Sequence, residues 1–200
     1  MVTSVDPESP EQESRPASVL DEVERLDVGA YAAVARTPTP TLDRAMAALS
    51  RTADYSKISL AAAGLLAATG GRRGRRAAAF GLASVGVTAT IVNVAVKPLG
   101  RRHRPDRVAQ DVPIARHVPM PISTSFPSGH SAAAFAFATG VGHVMPAAGL
   151  PLRAVAALVA YSRVHTGVHY PGDVVAGSLI GGALAQITSV AIDRRTGRAA

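Results

Sequence analysis

Ala77–Val96 reads AAAFGLASVGVTATIVNVAV, an uncharged apolar run with Arg75 and Arg76 before it and Lys97 after it. A bilayer core of ~30 Å needs about 20 helical residues, so this run is long enough to cross one. Four more apolar runs lie around it, at about 55–71, 129–146, 151–164 and 172–193. The last is also of full length. Residues 55–71 and 151–164 are short, and flanking polar residues or local thinning of the bilayer can make up the difference. The fold expected is all-α: a multi-span transmembrane helical bundle of about five membrane helices, preceded by amphipathic interfacial helices.

The N-terminal part is of another kind. Residues 1–16 are rich in Pro, Ser and Glu and read as a disordered acidic tail without the basic start and apolar core of a signal peptide. Within 17–53, Val19 to Ala35 and Leu42 to Ser50 mix charged and apolar residues at helical spacing, broken by Thr37-Pro-Thr-Pro-Thr41. These read as helices lying on the membrane or capping the bundle. Residues 54–194 form the expected membrane domain, and 195–200 a basic C-terminal tail.

Composition agrees with a membrane chain: 48% of the 200 residues are apolar and 18% charged. Ala and Gly are plentiful, and Gly177-x-x-x-Gly181 offers a surface on which two helices can approach closely. The absence of cysteine excludes disulfides and thiolate metal sites. A net charge of +7 invites a nucleic-acid reading, but the arginines sit in short clusters between apolar runs, without interleaved aromatics for base stacking. Anionic membrane lipids are the partners expected instead. Nothing in the sequence sets an oligomeric state.

The polar ends of the apolar runs carry the chemistry. Lys97-Pro-Leu-Gly-Arg-Arg-His-Arg104-Pro105, Pro127-Ser-Gly-His130, and Ser162-Arg163 followed by His169 and Asp173 together supply three cations, two imidazoles and a carboxylate. A phosphoryl group in transfer spreads negative charge over its oxygens, so catalysis rests on positioning and fixed positive charge. Lys97, Arg104 and Arg163 supply that charge. Two of the three are Arg, whose planar fork grips two oxygens at once. Ser128 and Gly129 open a helix, where free N–H groups, the dipole and a close backbone approach favour an anion. Asp173 can orient His169 as nucleophile, and His130 can protonate the leaving oxygen and later activate water. The scheme requires no metal and no other cofactor.

With these residues in hand, the chain is identified as resembling the type-2 phosphatidic acid phosphatase superfamily. That family's pattern is Lys, six residues, Arg-Pro; then Pro-Ser-Gly-His; then Ser-Arg, five residues, His, three residues, Asp. It falls without departure on Lys97, Arg104 and Pro105, on Pro127 to His130, and on Ser162, Arg163, His169 and Asp173. The resemblance covers 97–173 by motif and roughly 55–193 by helix pattern. It implies that Lys97, Arg104, Ser128, Gly129 and Arg163 bind phosphate, that His130 is the acid, and that His169 is the nucleophile backed by Asp173. It also implies a lipid phosphate substrate, polyprenyl phosphate or diphosphate first and phosphatidic acid or phosphatidylglycerophosphate second. Vanadate-dependent haloperoxidases share the motifs, and a catalytically silent scaffold or lipid transporter is a further alternative.

Alternating spans would bring Lys97, His130, Arg163, His169 and Asp173 to one face of a multi-pass cell-membrane protein. Arg72, Arg73, Arg75, Arg76, Arg153, Arg194, Arg195 and Arg198 would fall on the other face. Counting charges does not orient the chain. The dense Arg72–Arg76 cluster after the first span tips the reading to an extracytoplasmic site. His165, His169 and Asp173 have the i, i+4 spacing of a metal row, but Gly167, Pro171 and Gly172 interrupt the helix that would align them. His143 lies thirteen residues beyond His130, about 20 Å along a helix, too far to share the site.

Overall fold

The computed structural model describes residues 18–197, so the expected tail at 1–16 and the last residues of the basic tail lie outside it. Seven α-helices follow in order: α1 Val19–Arg36, α2 Pro40–Thr52, α3 Lys57–Thr69, α4 Gly71–Ile91, α5 Gly129–Val144, α6 Pro146–His165 and α7 Pro171–Arg195. No strand occurs among the described residues. The start signals are local. Ser18 closes a capping box with Asp21 on α1, and Pro40, Pro146 and Pro171 stand in the first turns of α2, α6 and α7. Arg195 still belongs to α7, so the basic tail begins inside that helix.

All five apolar runs are helices, but their lengths divide them. Three helices are long and apolar enough to cross a membrane: Gly71–Leu99, Pro146–His165 and Pro171–Arg195. The first comprises α4 with a π turn over Val92–Val96 and a 3-10 turn over Lys97–Leu99. By contrast, α3 has 13 residues and α5 has 16. The expected five spans therefore stand at three by length and composition. At 1.5 Å per residue, α3 and α5 are shorter than the ~30 Å core even when upright.

Helix α5 is central and packs on α4, α6 and α7. Its seam with α7 depends on glycine. A Cβ at Gly177 would run into the Ser128 carbonyl, and one at Gly181 into that of Ala132. The Gly177–Gly181 surface thus lets α7 lie against the α5 backbone, the role expected of small residues in a bilayer. Outward-pointing apolar side chains surround the bundle, among them Leu65, Leu82, Leu150, Leu158, Leu179 and Ile187. Such a belt is costly in water and suits lipid.

The ordered connection between Leu99 and Gly129 is pinned to the α1–α2 corner by one buried ion. Arg116 is fully buried. Its Nε lies 2.7 Å from Asp43 Oδ1, and its terminal nitrogens donate to the carbonyls of Val34, Ala35 and Thr37. His165 Nε2 meets the same Asp43 oxygen at 2.9 Å. Buried charges persist only when so paired. This knot sets the N-terminal helices beside the ends of α6 and α7.

Candidate active site

The connection Thr166–Tyr170 between α6 and α7 carries the candidate nucleophile. Gly167 turns the chain at φ 67°, where a Cβ would press on the Tyr31 hydroxyl and the Arg107 stem. His169 follows, 1% exposed. Asp173, in the first turn of α7, accepts from the Tyr170 backbone N–H at 2.9 Å. Its Oδ2 lies 3.5 Å from His169 Nδ1 and also accepts from the Ser125 hydroxyl.

The protonation pattern of His169 follows from its neighbours. Arg104 places a terminal nitrogen 3.2 Å from His169 Nε2. Guanidinium can only donate, so Nε2 presents its lone pair and Nδ1 carries the hydrogen toward Asp173. That tautomer leaves Nε2 without a hydrogen. Burial pushes the imidazole down to about 4, the Asp173 contact opposes this, and the charges of Arg104 and Arg163 add to it. A neutral ring at physiological pH is the result.

Arg104 is set by backbone acceptors. Its Nε donates to Ser123 O at 2.9 Å, and its terminal nitrogens to Val168 O at 2.7 Å and Thr124 O at 3.2 Å. Lys97 donates to the Ser123 hydroxyl at 3.1 Å, so Ser123 links the two cations. Arg163, 1% exposed, donates to the hydroxyl and carbonyl of Ser50 on α2 at 2.6 and 3.1 Å. Among the described residues, its buried Nε has no partner. A buried donor of this kind is a ready place for an anionic oxygen.

The helix-opening motif completes the arrangement. Ser128 caps α5 and is fully buried, its Oγ accepting from the Ser131 hydroxyl at 3.0 Å. Its own hydroxyl hydrogen is what it has left to offer a phosphate. Gly129 faces Lys97, whose Nζ would be 3.7 Å from a Cβ there. His130 Nε2 lies 2.9 Å from Asp54 Oδ1, and Arg163 is 3.6 Å from that oxygen. The Ser128 N–H donates to the Asp173 carbonyl at 2.9 Å, tying the start of α5 to the start of α7. Backbone and side-chain contacts thus join all eight expected residues: Lys97, Arg104, Ser128, Gly129, His130, Arg163, His169 and Asp173.

Other histidines lie apart. His165 turns to Asp43 while His169 turns to Asp173, so the metal-like row does not share a face. His143 pairs with Asp193 at 2.6 Å, beside Arg76 at the other end of the bundle. His103 is exposed, and His117 bonds to the Val112 carbonyl. Among the described residues, no group of three His, Asp or Glu could hold a metal. Sequence reasoning missed Ser50, Asp54, Ser123 and Ser125, which belong to no motif. It also missed Arg102, which bridges Asp173 at 3.2 Å and Asp27 of α1 at 2.6 Å. The only prior signal for Arg102 was its place in the Lys97–Arg104 cluster.

A cavity of about 220 Å³ opens beside His130, Lys97 and Gly129 and runs between α3, α4, α5 and α6. Small apolar residues such as Ala62, Ala89, Ala133 and Val155 line much of it.

Comparison with known proteins agrees with this layout. Decaprenylphosphoryl-5-phosphoribose phosphatase of Mycobacterium tuberculosis, in strains CDC 1551 and H37Rv, is 41% identical over 97 residues, covering 48% of this chain and 51% of that protein. Lipid A 1-phosphatase of Rhizobium etli is 37% identical over 70 residues, covering 35% of this chain and 30% of that protein. The matches thus span about half the length, or less, of these curated relatives. Among solved structures, Aquifex aeolicus LpxE superposes with a TM-score of 0.67 at 24% identity, covering 82% of this chain and 94% of that one. The first transmembrane PAP2 type phosphatidylglycerolphosphate phosphatase from Bacillus subtilis gives 0.65 at 23% identity, covering 88% of each chain. These two likenesses establish a common fold. The model of the PAP2 superfamily matches residues 77–196, more than half the chain and every residue from Lys97 to Asp173 discussed above, and the chain belongs to that superfamily.

Proposed function

We propose that this protein is an integral-membrane lipid phosphatase that cleaves a phosphomonoester or diphosphate from a lipid carrier through a phosphohistidine. The observation that carries the reading is His169: its Nε2 lone pair faces Arg104 at 3.2 Å, with Asp173 behind Nδ1. Nε2 attacks phosphorus, and the bond to the lipid oxygen breaks as that oxygen takes a proton from His130. Arg104, Arg163 and Lys97, with the Gly129 N–H and the Ser128 hydroxyl, hold the equatorial oxygens. Water then attacks the phosphohistidine, giving a proton to His130, and the P–N electrons return to Nε2.

The cavity beside the cations supports a lipid phosphate as substrate. Its slender apolar lining suits a lipid chain, and its polar mouth suits the phosphate. A polyprenyl phosphate or diphosphate is the first choice and phosphatidic acid or phosphatidylglycerophosphate the second. A relative named for a decaprenylphosphoryl substrate supports that order.

In the membrane, α3 and α5 complete five crossings with flanking polar residues or local thinning of the bilayer. The exposed Val19, Leu20, Val23 and Leu26 of α1 rest on the interface, and the site faces the extracytoplasmic side. The test is phosphate release by the purified protein from a panel of these lipids, with chelator present throughout. Release that requires a divalent metal, or halide oxidation on adding vanadate without phosphate release, would refute the reading. Protease-sensitive tags at each terminus test the orientation.

A further inference from the structure

The turn Asp54–Ser56 joins α2 to α3 outside the matched family segment, and takes both Tyr55 and Ser56 through φ 56°. Two successive L-residues in the left-handed region persist only where their surroundings hold them. Asp54 opens this turn, its Oδ1 2.9 Å from His130 Nε2 and 3.6 Å from Arg163. A carboxylate in a phosphate site repels the substrate's oxygens, so phosphate binding does not explain it. Its bond to one particular ring nitrogen does have a use. Ionised carboxylate only accepts, so His130 Nε2 carries a hydrogen and Nδ1 is the nitrogen left free. His130 also stands in the first turn of α5, and the Arg163 charge shares the Asp54 oxygen with it. An acid in that position needs an anionic partner.

We propose that Asp54 is a positioning residue for His130: it holds the ring through Nε2–H so that Nδ1 faces the leaving oxygen, and it stabilises the imidazolium that donates there. As the P–O bond breaks, its electron pair stays on the leaving oxygen, which takes the Nδ1 proton and leaves His130 neutral. In the second half-reaction, Nδ1 takes a proton from the attacking water. Arg163 lies 3.6 Å from the same carboxylate oxygen. The site would then hold two acid–imidazole pairs, Asp173–His169 for the nucleophile and Asp54–His130 for the acid.

This role rests on the phosphatase reading, and the test separates the two. Full-length protein in detergent is assayed with a lipid alkyl phosphate, whose alkoxide needs a proton to leave, and with p-nitrophenyl phosphate, whose phenolate does not. Asp54→Asn should lower kcat on the alkyl phosphate by about 10²-fold, at least tenfold more than on the nitrophenyl ester, and Asp54→Glu should recover part of the difference. Equal losses on both substrates, as from a structural defect, would overturn the proposal. So would a lower KM with unchanged kcat, the mark of a carboxylate that merely fills the phosphate's place. Independently of turnover, ¹⁵N spectra of the wild-type protein should show His130 as the Nε2–H tautomer, and an Nδ1–H tautomer would overturn it. A wild type that releases no phosphate from either substrate would remove the phosphatase reading itself and the acid role with it.

Discussion

Arg104→Ala removes a guanidinium that stands 3.2 Å from His169 Nε2, the proposed attacking nitrogen, and is held by three main-chain carbonyls. Two separable losses should follow. Without one preorganised donor to the developing charge, kcat should fall about 10²–10³-fold, or about 2.7–4 kcal/mol. The second loss is electrostatic. Two unit charges about 4 Å apart interact by about 4 kcal/mol near a protein surface. Arg104 is partly exposed, so solvent screens much of that. If a third survives, about 1.4 kcal/mol, the imidazole shifts by about one pH unit.

The direction is upward, because a positive neighbour disfavours the imidazolium and its removal lets His169 rise from about 4 toward its ordinary 6.5. Burial, the larger cause, remains and keeps it below that value. The variant therefore loses neutral nucleophile at a higher pH than the wild type, and the acid limb of its kcat/KM profile moves up by about one unit. Ionisation of the phosphate ester near pH 6 is common to both proteins and cancels in the ratio of their profiles. Arg104→Lys keeps the charge without the fork, so it should restore the limb but not the rate. A variant-to-wild-type ratio independent of pH between 4 and 7, or a turnover within tenfold of wild type, would refute this account of Arg104.

His169→Ala should abolish turnover, and acid-labile phosphoenzyme should be missing from rapid-quench samples; its persistence would move the nucleophile elsewhere. His130→Ala should slow release of an alkyl leaving group more than that of nitrophenolate, measured side by side. Gly181→Ala drives a methyl group into the Ala132 carbonyl at the α5–α7 seam, and should destabilise the protein by about 1–3 kcal/mol in a detergent denaturation series. Arg116→Met strands Asp43 in the buried knot. It should cost about 3–5 kcal/mol and free the N-terminal helices to limited proteolysis.

Much of the molecule was legible in the chain because the relevant signals are contiguous. Apolar runs, prolines at helix starts and the Ser128 cap are decided by neighbours a few residues away, so the break between α1 and α2 falls within the expected Thr37–Thr41 stretch, with α2 starting at Pro40 rather than Leu42, and α5 starts at the Ser128 cap. The motif residues were readable for a related reason: charge and imidazole placed at the ends of apolar helices have few other uses. Span number was less legible. Hydropathy shows where α3 and α5 lie, but it does not show that they end after 13 and 16 residues.

What the tertiary structure alone decided is who meets whom. Asp54 reaches His130 across 76 positions, Ser50 reaches Arg163 across 113, and Arg116 reaches Asp43 across 73. No local pattern marks such partners, since each is an ordinary serine or aspartate until packing removes water from around it. The sequence by itself determined an all-helical membrane fold and the chemical kit at its helix ends. Folding determined which nitrogen of each imidazole is held and which is free, because hydrogen-bond direction is a property of approach in space and not of spacing along the chain.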